Sequence, residues 1–300
     1  KLIKNGSTEF EIEFDNFSFD EKAYQMKLMD YGYYVDKKSR LIKIFNESGL
    51  KTNFIKSKNS GVIDVAEKDS IKIKIILSDY SNNKTQVNVN IIGSKDSLDY
   101  YYDDFSDFNS FVKNSKDFNF YENGIEVKIK KNTFNSDTFL DINYLADTLY
   151  IINPKVYAFK GIEILMPQKF QNSKQTYIAR EDNEGNKIFA GNTSIDRNFK
   201  FKTNNLGKFY EDIDSIAPTI KQLNRKNKIS FQIKDDETGV KKYDVFVNGN
   251  WHLFEYEPKR NEIFCSHNCL EVLEKEINIK VVVEDLVGNR KTLIKRLTLW

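Results

Sequence analysis

Along residues 71–77, and again along 277–283, apolar and polar side chains alternate, with Ile71, Ile73, Ile75 and Leu77 in the first run and Ile277, Ile279, Val281 and Val283 in the second. A period of two places one face of a strand on a core and turns the other to solvent. Each run ends on an Asp, crosses three residues and reaches an Asn: Asp79-Tyr-Ser-Asn-Asn83 and Asp285-Leu-Val-Gly-Asn289. A second run then follows, Thr85-Gln-Val87-Asn-Val89-Asn-Ile91 in the first copy. The spacing is constant, since 277 − 71, 285 − 79 and 289 − 83 all give 206. Asp and Asn at a reversal bond the local backbone through their short side chains. The pattern predicts two β-hairpins, each closing an antiparallel domain.

Outside these hairpins the chain reads mostly as short strands. Thr8-Glu-Phe10-Glu-Ile12-Glu-Phe14 alternates almost from the first residue. Asp20 is placed to cap a short helix with apolar spacing through Tyr24, Leu28 and Tyr31, followed by a bend rich in Tyr31, Tyr33 and Tyr34. The second hairpin has a long strand-rich lead-in from Ile220 to Phe264, whereas the first has a shorter and partly non-β one. The chain is therefore expected to start inside a sandwich whose first strands lie upstream of Lys1. In the middle, strands are predicted at 124–130, 131–134, 139–142 and 162–165. Thr176–Ala179 and Lys187–Ala190 flank a turn at Glu184-Gly185-Asn186. Pro218, which has no N–H to give a ladder, marks a domain junction over 214–220. Beyond it, Lys228–Ile233 is a strand, Asp235–Val240 a tight acidic turn, and Tyr243–Val247 with Asn248-Gly249 a hairpin.

The expected fold is all-β: tandem immunoglobulin-like antiparallel β-sandwiches with a short helical or irregular insertion. Residues 1–95 form a partial sandwich with its insertion near 17–50, residues 96–213 a middle sandwich behind an acidic aromatic connector, and residues 214–300 a C-terminal sandwich.

Composition narrows the function classes. Three hundred residues, 40% of them hydrophobic and 14% aromatic, suffice for two or three cored domains. The 46 basic and 44 acidic residues leave a net charge of +2. Nucleic-acid grooves and polybasic membrane surfaces need a concentrated positive field, so neither is the expected partner. No apolar run approaches the roughly 20 residues of a membrane-spanning helix. A chain beginning at Lys1 has either lost a leader or been cut from something larger.

The most metal-like local cluster is Cys265-Ser-His267-Asn-Cys269, because zinc takes four sulfur or nitrogen ligands in a tetrahedron. Its spacing fits no common finger and His252 is the only other imidazole, which favours a pair of thiols, free or bridged. Two histidines also leave few bases for a Ser-His-Asp or Cys-His arrangement. Asp235, Asp236 and Glu237 have the chemistry of a glycosidase pair, but consecutive acids in a turn ordinarily cap backbone amides. Asp103, Asp104 and Asp107 invite calcium, yet lack the loop pattern with a distant Glu and read as a solvated connector. The tyrosines at 31–34 and 100–102 are either a glycan platform or packing. The Asp/Asn pairs occur twice at equivalent positions, as architecture does and catalytic sites seldom do. No residue is assigned a catalytic or cofactor-binding role.

Several stretches together resemble one family. Asp15-Asn-Phe17-Ser-Phe19-Asp20-Glu, the passage from Tyr31-Gly-Tyr-Tyr34 to Leu41-Ile-Lys-Ile-Phe45-Asn-Glu, and Ile75-Ile-Leu-Ser-Asp79-Tyr-Ser-Asn-Asn83 carry the likeness. So do Lys131-Asn-Thr-Phe134, Leu206-Gly-Lys-Phe-Tyr210, Asp235-Asp-Glu-Thr-Gly239-Val240 and Gly249-Asn-Trp251. In this order they resemble the non-catalytic region that follows the zinc peptidase domain in large lysostaphin-type (peptidoglycan endopeptidase-like) envelope proteins of some Gram-negative bacteria. The zinc-binding His-x-x-x-Asp and His-x-His motifs of that family are missing: Tyr256 stands four residues after His252 and Glu271 four after His267. The resemblance implies a scaffolding segment at the cell envelope, periplasmic or outer-membrane-associated, with zinc confined to an upstream peptidase domain. Its partners would be that domain, envelope proteins or peptidoglycan. A structural subunit of a surface assembly without peptidase activity, and a carbohydrate-binding module, are the alternatives.

Overall fold

The computed structural model describes residues 1–14, 26–46, 54–95, 108–170, 175–182, 184–225, 228–266 and 276–298. Among them the chain is all-β, with strands in antiparallel sheets and little helix, at residues 26–28 and 31–37.

The N-terminal unit is a five-stranded sheet of β1 (Leu2–Lys4), β2 (Ser7–Ile12), β3 (Ile55–Ser57), β4 (Ser70–Ser78) and β5 (Lys84–Ile92), in the order β3-β2-β1-β4-β5. Among the described residues no second sheet faces it, and its core is small: Leu2, Phe10, Ile71 and Ile73, with Ile12, Ile55, Ile63 and Val65 packed alongside. The alternation read from the sequence therefore fades along β4. Ile71 and Ile73 are buried, but Leu77 is 70% exposed. Helix α1 (Tyr31–Lys37) holds the tyrosines expected to form a bend. Its N-cap is Asp30, whose carboxylate accepts the Tyr33 N–H at 2.9 Å. The expected cap Asp20 and the residue Tyr24 lie outside the described residues.

The middle unit is a sandwich. One sheet runs β13-β12-β16-β10-β9-β6, from Lys187–Gly191, Thr176–Glu181, Gly207–Ile213, Thr148–Ile152, Thr138–Leu145 and Ser110–Val112. The other runs β14-β15-β11-β8-β7, from Ser194–Ile195, Asn198–Thr203, Ile162–Pro167, Ile125–Ile129 and Phe118–Glu122. Inward residues alternate with outward ones, as in β8, where Ile125, Val127 and Ile129 are buried. Between the sheets they meet Leu140, Ile142, Leu149, Ile164, Phe199 and Phe209 in one continuous core. Lys131–Phe134, expected as a strand, is instead a turn: Asn132 takes φ +60° and the Thr133 hydroxyl donates to Lys130 O at 2.6 Å. Phe134 is buried there as a plug from the turn.

The C-terminal unit pairs two four-stranded sheets. The first is β17-β18-β22-β21, from Thr219–Arg225, Lys228–Lys234, Glu262–Ser266 and Glu255–Glu257. The second is β20-β19-β23-β24, from Asn250–His252, Val240–Val247, Glu276–Asp285 and Arg290–Thr298. Lettered in chain order from A to G, with β20 as C′, these are the A-B-E-D and C′-C-F-G sheets of an immunoglobulin sandwich. Ile277, Ile279, Val281 and Val283 line its core. Both repeats are hairpins with the same register: Ser78 pairs Lys84, and adding 206 to each number gives the observed pair Glu284–Arg290.

Candidate functional site

The middle and C-terminal sandwiches are joined by the short passage 214–218, between β16 and β17, and polar groups crowd that joint. In an immunoglobulin topology the start of the first strand, the B–C turn and the F–G turn lie at one end of the sandwich. Here these are Asp214, the Asp235–Gly239 turn between β18 and β19, and the Asp285–Asn289 turn between β23 and β24. One carboxylate oxygen from each of Asp214, Asp235 and Asp285 converges, all three lying within 4.8 Å of one another. Asp214 and Asp285 are buried, at 1% and 0% exposure.

Each carboxylate also shapes its own backbone. Asp235 Oδ1 accepts the N–H groups of Glu237, Thr238 and Gly239 at 3.2, 2.8 and 2.7 Å. The capping expected of this acidic turn is thus present. Asp285 Oδ1 accepts those of Val287, Gly288 and Asn289 at 3.0, 2.7 and 2.8 Å. Asp214 Oδ1 accepts from Ile216 N at 3.0 Å, and its Oδ2 accepts the Thr238 hydroxyl at 2.7 Å. Of the oxygens left, Asp285 Oδ2 is buried with no hydrogen-bond donor.

The same Asp-to-Asn closure appears at three places, and comparing them shows how this oxygen was left bare. Asp79–Asn83, Asp182–Asn186 and Asp285–Asn289 each close with the Asp N–H donating to the Asn carbonyl at 3.1 Å. In the two exposed turns the Asn amide donates back to the second carboxylate oxygen, Asn83 to Asp79 Oδ2 at 2.7 Å and Asn186 to Asp182 Oδ2 at 3.1 Å. Those bonds help hold both carboxyls below their usual range, led by the Asn83 side chain for Asp79 and the Asn186 backbone for Asp182. In the buried turn Asn289 donates instead to Asp214 O at 2.8 Å and accepts from Gln175 Nε2.

Around the cluster, residues of the middle sandwich grip the C-terminal one. Asn192 Nδ2 donates to Leu286 O at 2.6 Å, and Lys187 Nζ reaches Asp212 at 3.0 Å and Glu237 at 3.2 Å. Burial works to lower the Lys187 pKa, but its hydrogen bonds to Asp212 and Glu237 prevail and raise it. Tyr177 stacks on Phe189 at 5.8 Å, lies 3.4 Å from Glu237 Oε2, and is pushed up to about 12 by burial. Among the described residues none of the ion pairs includes Asp214, Asp235 or Asp285.

The other sequence candidates fall elsewhere. Cys265 is buried on β22 and disulfide-bonded, so its sulfur is not the thiolate a zinc ion takes. The remaining residues of that motif, His267 and Cys269, lie outside the described residues, as do Tyr100–Tyr102, Asp103, Asp104 and Asp107. His252 ends β20, on the sheet opposite Cys265. Asp236 pairs with Lys234 at the surface and does not join the cluster. Tyr31 packs on Tyr157 of the middle sandwich with ring centroids 5.5 Å apart, while Tyr33 faces solvent. The sequence reading placed no role on Asp214, and it took Asp285 as turn architecture. The available signal was topological, since an immunoglobulin strand order by itself brings the two acidic turns to one end.

No protein-family model matches the chain, and no curated protein does. Among solved structures it is similar to the fibronectin(III)-like modules of CbhA from Clostridium thermocellum, at 14% identity over 47% of this chain and 85% of that one, with a TM-score of 0.23. It is also similar to a Ca2+-stabilized adhesin that helps an Antarctic bacterium reach out and bind ice, at 8% identity over 77% of this chain and 56% of that one, TM-score 0.19. Neither likeness bears on what this chain binds. Its own strand order and paired sheets make it a protein of tandem β-sandwiches.

Proposed function

We propose that the chain is a positional segment of an exported surface protein: a spacer that holds whatever lies at its two ends at a set separation and angle. The observation that carries this reading is the joint itself. Gln175, Lys187 and Asn192 of the middle sandwich bond across to Asn289, Glu237 and Leu286 of the C-terminal one. A connection meant to swivel would keep its polar groups in water, where domain motion is the default for small polar contacts. The disulfide at Cys265 supports an oxidising compartment. No helix among the described residues is long and apolar enough to cross a membrane.

The finer reading takes the neighbour to be a lysostaphin-type zinc peptidase of the envelope, and it rests on the sequence resemblance alone. A structural subunit without peptidase activity is the alternative, and the presence of intact His-x-x-x-Asp and His-x-His motifs upstream of Lys1 separates the two. The carbohydrate-binding reading loses support at Tyr31, which is engaged with Tyr157. Pull-down on murein sacculi with a Tyr33→Ala comparison checks it, and absence of wild-type binding removes it. The spacer reading is tested with spin labels on exposed residues of β7 and β24. Electron–electron distance measurement is expected to give one narrow distribution; a broad one spanning tens of ångströms overturns it.

A further inference from the structure

The Asp214–Asp235–Asp285 cluster has the makings of a ligand site. Two of its members are buried, and no cationic side chain pairs with any of them among the described residues. Lys187, at the same joint, is committed to Asp212 and Glu237. The buried Asp285 Oδ2 has no donor, although the Asn that supplies one in the two twin turns stands in the same place. Asn289 spends its amide on Asp214 O and Ile216 O, at 2.8 and 3.4 Å. The turn thus gives up a hydrogen bond that its relatives make, and leaves a buried carboxylate oxygen bare on one of the three clustered aspartates. Leaving such an oxygen bare is strongly unfavourable unless something charged meets it.

We infer that these three aspartates bind a divalent cation, Ca2+, at the joint between the middle and C-terminal sandwiches. The donors are hard carboxylate oxygens with no imidazole or thiolate among them, which selects against zinc. Oxygens within 4.8 Å of one another can share an ion whose bonds to oxygen are about 2.3–2.6 Å. Mg2+ is smaller, demands a near-ideal octahedron and gives up its waters reluctantly, so a largely buried set of side chains favours Ca2+. The Thr238 hydroxyl, already on Asp214, and solvent on the Asp235 side are at hand to complete the shell. Because the ligands come from the linker and from two turns of the C-terminal sandwich, an ion here ties the linker down. Binding stands on the carboxylates alone; that it stiffens the joint rests on the spacer reading.

The test uses the full chain freed of metal with a chelator, titrated calorimetrically with CaCl2 and, separately, MgCl2. One Ca2+ per chain is expected, with Mg2+ at least tenfold weaker. Saturating Ca2+ is expected to raise the unfolding midpoint by roughly 5 °C or more. Asp285→Asn and Asp235→Asn each keep the Oδ1 acceptor that shapes the turn, and each is expected to weaken Ca2+ at least tenfold. Asp79→Asn, in the exposed twin turn, is expected to leave affinity unchanged. Should Asp285→Asn fold poorly by circular dichroism, the half-buried Asp235→Asn decides. Folded wild type with no binding heat and no midpoint shift overturns the inference, and so does an affinity unchanged in Asp235→Asn. Repeating the spin-label distances with and without Ca2+ separates the two proposals. Binding with a broad distribution in both conditions sinks the spacer and leaves the ion site standing.

Discussion

Single residues in this chain do two jobs where a carboxylate is buried, and Glu262 shows the energetic side. It lies on β22 at 2% exposure and accepts from Arg225 through two bonds of 3.1 Å and from the Ser230 hydroxyl at 2.5 Å. The Arg225 guanidinium, with Ser230 behind it, holds the carboxyl down at about 2. Against an ordinary value of 4.5, the native state binds this proton less readily than the unfolded chain does. Its contribution is therefore complete above pH 4.5 and is lost as pH falls toward 2. Glu262→Gln is expected to destabilise by about 2 kcal/mol at pH 7, the typical loss for hydrogen bonds to a charged group. Denaturant titrations at pH 7 and pH 3 check this, and the gap between wild type and variant should narrow at pH 3. A gap that widens instead means that Glu262 does not carry this share of the acid sensitivity.

Elements built from the same pattern do not share the same fate. The hairpins β4–β5 and β23–β24 were legible from alternation, the Asp/Asn turn and the offset of 206, and the register obeys that offset. What alternation cannot report is whether a second sheet covers the apolar face. Val283 sits in a sandwich at 0% exposure, while Leu77, its counterpart in the single sheet, is 70% exposed. Val283→Ala is expected to cost about 2 kcal/mol, from lost burial plus a cavity, and Leu77→Ala less than about 0.5 kcal/mol. Equal effects in thermal unfolding would mean that a partner covers the β4 face. The turns differ in a similar way: Gly288 takes φ +98° where the first copy places Asn82 at +62°. No atom lies within 4 Å of a Cβ built on Gly288, so Gly288→Ala meets only the backbone preference. A loss of about 1–2 kcal/mol is expected, read from the shift in the denaturation midpoint. The strand expected at 131–134 failed for a related reason: Asn132 at φ +60° and the Thr133 bond to Lys130 reverse the chain before a ladder can form.

At the scale of the whole molecule, the joint was the least legible feature, because its residues are far apart in sequence and its decisive bond breaks the repeat. Recurrence of Asp and Asn argued for architecture, and for Asp79 and Asn83 the structure shows only a turn. For Asp285 and Asn289 the same residues reach across the joint, since burial beside the linker offers Asn289 the carbonyls of Asp214 and Ile216 and the amide of Gln175. The Asp and Asn are the same in the two turns; their neighbours in space decide which partner the Asn amide takes. This asymmetry makes a direct comparison possible. Asn289→Ala removes bonds to three partners in the linker and the edge of β12 and leaves Asp214 O without its amide donor, so a loss of about 2–3 kcal/mol is expected. Asn83→Ala removes an exposed bond and should stay within about 0.5 kcal/mol. More diagnostic than the magnitude is the shape of the transition. If the joint couples the two sandwiches, they unfold together in the wild type, and Asn289→Ala separates their calorimetric transitions while Asn83→Ala does not. Two resolved transitions already present in the wild type would show that the bonds across the joint transmit no stability between the sandwiches.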